Sequence, residues 1–238
     1  DGWRAVISDT FTFKNVRIVA QAVADWVNRD NPAFTRKTVA VGYDNRFLSA
    51  EYARAFAEVL AGNGIAVFLS DTSLPTPALS YGVVCLKAVC GIMITASHNP
   101  AKFNGIKIKT AQGGAAPKDI TGTIESYLGQ SSVQTAQTSI TVHDFKKEYV
   151  AFIRGYLDLT KIKNSKYKVL ADIMHGSGRD LMARVLKGTA VRLELMRADV
   201  NPGFDGNKPE PIPECLGAIM GRMKKEKVDL GLVLDGDA

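Results

Sequence analysis

Short apolar runs alternate with longer amphipathic stretches along the first half of the chain. Residues 15–28 carry apolar side chains at helical spacing, which predicts a helix with Asn15 as its N-cap. Strands separated by helices of this kind indicate βαβ units and a largely parallel sheet. The other predicted elements are strands at residues 38–42, 65–69, 89–95 and 106–109, and helices at residues 49–60, from residue 75, and at 119–128; Ser49 is the predicted cap of the second helix.

The second half of the chain repeats this alternation after a polar run. Residues 129–141 are rich in Ser, Gln and Thr and are predicted to form a linker. Residues 144–157 then predict a helix with one apolar face. We therefore expect two domains, residues 1–140 and residues 141–238. The second domain is predicted to contain strands at residues 167–172, 191–196 and 228–234, and helices at residues 179–186 and 214–225.

One polar loop directly follows a predicted buried strand. Residues 89–95 are apolar and rich in β-branched side chains, and the run is then interrupted by Ser97, His98, Asn99 and Pro100. In open α/β sheets, ligands bind beyond the carboxyl ends of the strands, so Ser97 is a candidate site residue. Taken alone, such a string is typical of a turn without chemistry.

A short alternating strand returns from this loop. Residues 106–109 alternate isoleucine with lysine, which predicts a strand with one polar face. Because the connection is short, the strand is predicted to be antiparallel. We therefore expect Ser97 and Lys107 to meet across the loop.

Two carboxylates, Asp235 and Asp237, follow the last predicted strand. Side chains two residues apart on an extended segment point to the same side, and Gly236 between them allows the backbone to bend around a hard cation. Asp-Gly-Asp is also a common turn, so the pattern alone leaves both interpretations open.

Composition and charge narrow the function classes. The net charge is +6, but the basic residues are scattered and no zinc-finger spacing or RNP-like aromatic string is present, so nucleic acid is not an expected partner. No apolar run approaches the roughly 20 residues of a membrane helix and no secretory signal opens the chain, which favours a cytoplasmic protein without a membrane partner. Cys85, Cys90 and Cys215 lack C-x-x-C spacing and are predicted to be buried apolar residues.

A loop at residues 175–178, His-Gly-Ser-Gly, fits nucleotide binding only in part. It lies between a predicted strand and a predicted helix, where backbone amides can bind phosphate. However, leucine stands at position 181 where a dinucleotide fingerprint has its third glycine, and no P-loop lysine follows. Nucleotide binding is therefore the minor interpretation of this loop.

Five strings of the sequence resemble motifs of one family, the α-D-phosphohexomutase superfamily of phosphoglucomutases and phosphomannomutases. The resemblance implies a fold of two consecutive α/β/α domains with mixed, mostly parallel sheets. Thr95-Ala-Ser-His-Asn-Pro100 and Asn104-Gly-Ile-Lys107 resemble the family's phosphoserine loop. Asp235-Gly-Asp-Ala238 resembles the start of its metal loop. Tyr43-Asp-Asn-Arg46 and Asp1-Gly-Trp-Arg4 resemble two further family strings.

The resemblance implies catalytic roles for the matching residues. Ser97 would carry the phosphoryl group, and Lys107 would be the general acid/base beside it. Arg4 would reach into the active site near the phosphoserine. His98 adjoins the phosphate carrier and is expected to form a hydrogen bond near it.

The resemblance also implies a cofactor and a reaction. Mg²⁺ would be held by Ser97, Asp235 and Asp237, because hard cations prefer oxygen ligands. The reaction would move phosphate between C1 and C6 of a hexose monophosphate, with a hexose 1,6-bisphosphate as activator and intermediate. Glucose, mannose and glucosamine phosphates all stay open as substrates, and the protein would be a monomer or a homodimer. The chain would represent the first two of four domains and would be inactive alone.

Two other function classes stay open. A serine hydrolase would use Ser97 with His98, but adjacent residues cannot easily adopt the geometry of nucleophile and base, and the sequence has no Gly-x-Ser-x-Gly elbow. A non-catalytic sugar-phosphate or nucleotide-binding module would not need the Ser97 hydroxyl for chemistry.

Overall fold

A computed structural model of the chain describes residues 2–238. The chain divides into two compact units. The division does not simply follow chain order, because two short segments of the first half pack with the second unit. The second unit comprises Asn45–Phe47, Ser97–Ala101 and Lys146–Ala238, and the remaining residues up to Phe145 form the first.

The first unit is built on one six-stranded sheet. Its elements are β1 (Gly2–Val6), α1 (Phe13–Arg29), β2 (Thr38–Tyr43), α2 (Ser49–Gly62), β3 (Ala66–Ser70), α3 (Thr76–Cys85), β4 (Cys90–Ile94), β5 (Phe103–Thr110), α4 (Lys118–Ser126) and β6 (Ile140–His143). The strand order is β1-β5-β4-β2-β3-β6. The pairs of β2 with β3, β2 with β4 and β3 with β6 are parallel, whereas β5 is antiparallel to both β4 and β1. The predicted α/β fold with a mixed, mostly parallel sheet is confirmed.

The first two long helices begin differently from the sequence prediction. Thr12 caps α1 by accepting a hydrogen bond from the backbone N–H of Asn15, so the prediction of Asn15 as the cap is wrong. The residue before α2 is Leu48, which has a left-handed φ of 59° and forms no side-chain cap. Ser49 is the first residue of α2, and its hydroxyl instead donates to Asp44 in the core.

The two edge strands of this sheet, β1 and β6, are not among the strands predicted from the sequence. Strand β1 is short and pairs only with β5, about one hundred residues away along the chain. Strand β6 lies partly inside the predicted linker and pairs with β3. The predicted domain limit after residue 140 therefore falls within β6, while the first compact unit extends to Phe145; the domain limits themselves stay a prediction.

The second unit contains β7 (Lys168–Asp172), β8 (Arg192–Met196) and β9 (Leu230–Val233), which form a smaller, fully parallel sheet in the order β8-β7-β9. A 3₁₀ turn at Phe204–Gly206 follows β8, and a second lies at Pro213–Cys215. The helices are α5 (Phe145–Tyr156), α6 (Leu159–Lys163), α7 (Leu181–Leu186) and α8 (Gly217–Lys225).

The three cysteines differ in their environments. Cys90 is fully buried on β4, and burial raises the pKa of its thiol to about 12, so it behaves as an apolar residue. Cys85 is exposed and Cys215 is partly exposed, so the prediction that all three are buried is wrong. No helix within residues 2–238 is both long enough and apolar enough to cross a membrane.

A buried carboxylate joins the ends of three strands in the first unit. Asp44, directly after β2, accepts hydrogen bonds from the hydroxyls of Ser49 at 2.8 Å and Thr95 at 2.6 Å. Asn104 on β5 donates to the Ser49 oxygen at 2.9 Å. All four side chains are buried, so each of these polar groups depends on the others for its hydrogen bonds.

We expect Asp44→Ala to lower the free energy of unfolding by about 3 kcal/mol, because two buried hydroxyls lose a charged acceptor. Urea denaturation of the chain measures this effect. The exposed Asp9→Ala is the control and should change stability by less than about 0.5 kcal/mol. A loss for Asp44→Ala as small as that of the control would contradict the proposed importance of the cluster.

A charge network crosses the surface of the second unit. Glu226 contacts Arg222 at 2.8 Å and Lys168 at 3.0 Å, and Glu194 contacts the same two basic side chains. The hydrogen bonds from Arg222 and Lys168 lower the pKa of Glu226 from 4.5 to about 2. The network links β7, β8 and the end of α8.

This network predicts an acid-dependent loss of stability. Because the pKa of Glu226 is depressed in the folded protein, its ionised form stabilises the fold fully above about pH 4.5, and that contribution is lost as the pH falls toward about 2. Glu226→Gln should therefore show a shallower fall in melting temperature across this pH range. Identical pH profiles for the two proteins would contradict the assignment.

Candidate active site

The Ser97 hydroxyl lies against a carboxylate from the end of the chain. Ser97 follows β4, its side chain is buried, and its Oγ donates a hydrogen bond to Oδ2 of Asp235 at 3.1 Å. Both residues belong to the second compact unit. Asp237, two residues farther along, is only 4% exposed. The structure thus brings together Ser97 and the first residue of the predicted acidic pair.

The backbone at Ser97 is held in an uncommon conformation. Its φ is 56°, in the left-handed region that residues other than glycine rarely adopt. Such conformations cost free energy and persist where surrounding contacts determine them, often at functional sites. Hydrogen bonds from the Arg46 side chain to the loop supply that restraint.

Arg46 binds the backbone of the loop that carries Ser97. Its Nη2 donates to the carbonyl oxygens of Ser97 at 2.8 Å and Asn99 at 2.5 Å, and its Nη1 donates to that of Pro100 at 2.9 Å. The Arg46 side chain is buried. Because one planar guanidinium binds three carbonyls of a single short loop, these bonds hold the backbone of the loop in one conformation.

Two glycines allow the Asp235 loop to approach closely. A Cβ atom on Gly236 would lie 2.5 Å from the carbonyl oxygen of Ser97, and a Cβ on Gly176 would lie 2.4 Å from that of Asp235. Asn45 donates to the carbonyls of His175 and Gly176 at 2.9 Å each. Gly176 of the His-Gly-Ser-Gly loop is therefore explained by its close packing against the Asp235 backbone, without a nucleotide.

The strand before that loop ends in a buried ion pair. Asp172 at the end of β7 is fully buried and binds Arg197 through both oxygens. This hydrogen bonding raises the pKa of Arg197. Asp172 also accepts from the backbone N–H of Met174 at 3.1 Å, which supports a turn where both Met174 and His175 have positive φ.

Arg4 and Lys107 lie in the first unit, on neighbouring strands. In the antiparallel pair of β1 with β5, Arg4 is opposite Gly105 and Lys107 is opposite Gly2. Positions two apart on a strand share a face, so both basic residues lie on the same face of the sheet as diagonal neighbours. Asp1, which begins the string that contains Arg4, lies outside the described residues.

His98 is exposed, next to the buried Ser97. Its role stays a prediction, as do the roles of the other predicted catalytic residues. Arg46 and Asp44 were missed as functional candidates. Their signal in the sequence is that Asp44 directly follows β2, the parallel neighbour of β4, and that Arg46 comes two residues later, much as Ser97 comes shortly after β4.

The oxygen ligands at this site fit a hard cation. Within residues 2–238, no group of three or more His, Cys, Asp and Glu side chains is arranged to hold a metal ion. The Ser97 hydroxyl and the Asp235 carboxylate nevertheless bring together oxygen donors of the kind that Mg²⁺ prefers, and the buried Asp237, two residues farther along, is a further candidate ligand. Since Mg²⁺ is usually bound by one or two carboxylates plus phosphate oxygens, these residues fit it provided that a phosphate is present.

Comparison with known proteins gives two family matches that together cover most of the chain. Residues 1–134 match the model described as phosphoglucomutase/phosphomannomutase, alpha/beta/alpha domain I, and residues 147–238 match the corresponding domain II.

Individual relatives agree with these matches. The chain is 29% identical, over its whole length, to a phosphoglucosamine/phosphogalactosamine mutase of Sulfurisphaera tokodaii, and covers 52% of that protein. It is 28% identical over 98% of its length to a phosphomannomutase/phosphoglucomutase of Pseudomonas aeruginosa, and covers 49% of that protein. A solved structure from Thermus thermophilus, classed as a phosphomannomutase, matches the whole chain at 32% identity with a TM-score of 0.93, over 54% of its own chain. The chain thus spans about half the length of these relatives.

Substituting the glycine between the two aspartates tests the close backbone approach. We expect Gly236→Ala to destabilise the chain by about 1–3 kcal/mol, because the added methyl group overlaps the Ser97 carbonyl. Gly221→Ala on α8 is the matched control: nothing lies within 4 Å of its added Cβ, and alanine should stabilise that helix by about 0.5–1 kcal/mol. Thermal denaturation that gives both variants the same sign would contradict this packing.

Proposed function

The chain belongs to the phosphoglucomutase/phosphomannomutase family, and from this premise we propose that it carries the phosphoryl-transfer site of a hexose-phosphate mutase. The observation that supports the proposal most strongly is the 3.1 Å hydrogen bond from the Ser97 hydroxyl to Asp235. In this proposal residues 1–140 and 141–238 are the first two domains of the enzyme.

Ser97 is the proposed phosphate carrier. A hydroxyl of the substrate attacks the phosphorus of phospho-Ser97, the bond from phosphorus to Oγ breaks, and the product is a hexose 1,6-bisphosphate. The bisphosphate then presents its other phosphate to Ser97, and transfer back to Oγ releases the isomeric monophosphate. The fixed backbone of the loop keeps Oγ in the same position for both transfers.

Asp235 and Asp237 are the proposed Mg²⁺ ligands, together with an oxygen of phospho-Ser97. A phosphoserine carries about −1.5 to −2 charges, which an adjacent carboxylate would repel. A bound Mg²⁺ would neutralise charge on the group being transferred. The backbone of the Asp235 loop is held by hydrogen bonds from Gly236 to the Pro209 carbonyl and from Ser177 to the Gly236 carbonyl, both at 3.1 Å, so the ligand carboxylates start from a fixed backbone.

Three further residues complete the proposed machinery. Lys107 is the general acid/base that exchanges a proton with the reacting hydroxyl, and Arg4, on the same face of the sheet, adds positive charge. His98 forms a hydrogen bond near the phosphate. The named relatives include mutases for glucosamine, galactosamine, mannose and glucose phosphates. The proposed substrate is therefore a hexose monophosphate, and the identity of the sugar stays open.

We expect Ser97→Ala in the full-length protein to lower mutase turnover by about 10³-fold or more, since the phosphate carrier is removed. The assay uses a hexose 1-phosphate with Mg²⁺ and a catalytic amount of glucose 1,6-bisphosphate, and mass spectrometry locates the phosphoryl group. Ser165→Ala, at a partly exposed serine of the same unit, is the control and should keep full turnover.

The outcome also separates the alternative functions. If the Ser97→Ala protein keeps the function of the unsubstituted protein, the mutase proposal is wrong and a non-catalytic binding module is favoured. Stoichiometric labelling of Ser97 by a fluorophosphonate probe would favour a hydrolase, because that probe reacts with serines activated by a general base.

A further inference from the structure

The guanidinium of Arg46 is enclosed by more than the loop it binds. Its Cζ lies over the aromatic ring of Phe204, 5.0 Å from the ring centroid. Both side chains are almost fully buried, at 3% exposure for Arg46 and 1% for Phe204. A cation over a ring face is attracted by the ring quadrupole, and the attraction grows when water is excluded.

The turn that carries Phe204 is itself fixed by polar contacts. Phe204 and Asp205 have φ of 51° and 53°, so two successive residues adopt the left-handed conformation. Asp205 Oδ1 accepts a hydrogen bond from Asn201 at 2.7 Å, and Asp205 Oδ2 lies 2.9 Å from Nε2 of His175. These contacts hold a backbone conformation that the residue types alone would disfavour.

We infer that Phe204 is a positioning residue for the Ser97 loop. Its ring holds the guanidinium plane of Arg46 in the orientation in which that guanidinium binds the carbonyl oxygens of Ser97, Asn99 and Pro100. Phe204 itself touches no reacting atom.

The inference rests on the proposed function of Ser97 and extends it. Without the ring, the Arg46 side chain gains rotational freedom, and its three hydrogen bonds can no longer form together. The left-handed conformation at Ser97 then loses its restraint, and the Oγ that carries phosphate moves relative to the attacking hydroxyl. A misplacement of about 1 Å at a reacting centre costs about 10²-fold in rate.

Replacement of Phe204 in the full-length protein tests this role. Phe204→Leu keeps an apolar side chain but removes the ring, and we expect kcat to fall by about 10- to 100-fold while KM for the hexose phosphate changes little. Phe204→Tyr keeps the ring and should recover most of kcat. Phe56→Leu, at another fully buried phenylalanine on α2, controls for loss of core packing and should leave kcat and KM unchanged below its melting temperature.

A double-mutant cycle shows whether Phe204 acts through Arg46. Arg46→Lys keeps the charge but loses the planar fork that reaches three carbonyls. If Phe204 acts through Arg46, adding Phe204→Leu to Arg46→Lys lowers kcat little further; independent, multiplying effects would overturn the inference. Unchanged kcat in Phe204→Leu would also overturn it.

Hydrogen exchange separates this inference from the proposed function. Faster exchange of the backbone amides of His98, Asn99 and Ala101 in Phe204→Leu than in Phe204→Tyr supports positioning, whether or not the protein turns over hexose phosphates. Equal exchange in the two variants refutes positioning. Absence of both turnover and Ser97 phosphorylation in the unsubstituted protein would refute only the proposed function.

Discussion

The proximity of a hydroxyl to a carboxylate is the constraint on which this site depends. Ser97 Oγ donates to Asp235 at 3.1 Å, which is favourable while the oxygen carries a proton. A phosphate on the same oxygen would face like charge, and each such pair costs about 4 kcal/mol at about 4 Å with an effective dielectric constant of about 20. A divalent cation between them reverses the sign of these interactions. The same proximity therefore favours both the phosphoserine and the metal in our proposal.

Close backbone approach and hydrogen bonds, more than apolar packing, create this proximity. Gly236 and Gly176 lack the side chains that would push the Asp235 loop away from its neighbours. Arg46 binds three carbonyls of the Ser97 loop, so the backbone of the loop is held in one conformation. In the first unit, Asp44 links the end of β4, from which the Ser97 loop leaves, to the end of β2 and the start of β5. Catalytic geometry of this kind needs support from groups that never touch the substrate.

The sequence predicts some of these features because they are local. Apolar runs between amphipathic stretches indicate the parallel strands, and the residues that follow each strand end indicate the candidate site, as for Ser97 and Asp235. Strand β1 depends on pairing with the distant β5, and β6 lies in a polar run, so neither has a clear local pattern. The same holds for the contact of Arg46 with Phe204, whose turn adopts left-handed conformations that Phe and Asp rarely favour. Distant contacts of this kind leave no periodicity in a single sequence.

Electron–nuclear spectroscopy with bound Mn²⁺ can show whether phospho-Ser97 and the two carboxylates share one cation. Mn²⁺ can replace Mg²⁺ at sites made of carboxylate and phosphate oxygens, and its unpaired electrons report on bound phosphorus. In the phosphorylated full-length protein, our account predicts a phosphorus hyperfine coupling to the bound Mn²⁺ that disappears, together with tight Mn²⁺ binding, when Asp235 and Asp237 are both replaced by asparagine. Tight Mn²⁺ binding without phosphorus coupling, or binding that survives the double replacement, would contradict the claim that phospho-Ser97 and this acidic pair share one cation.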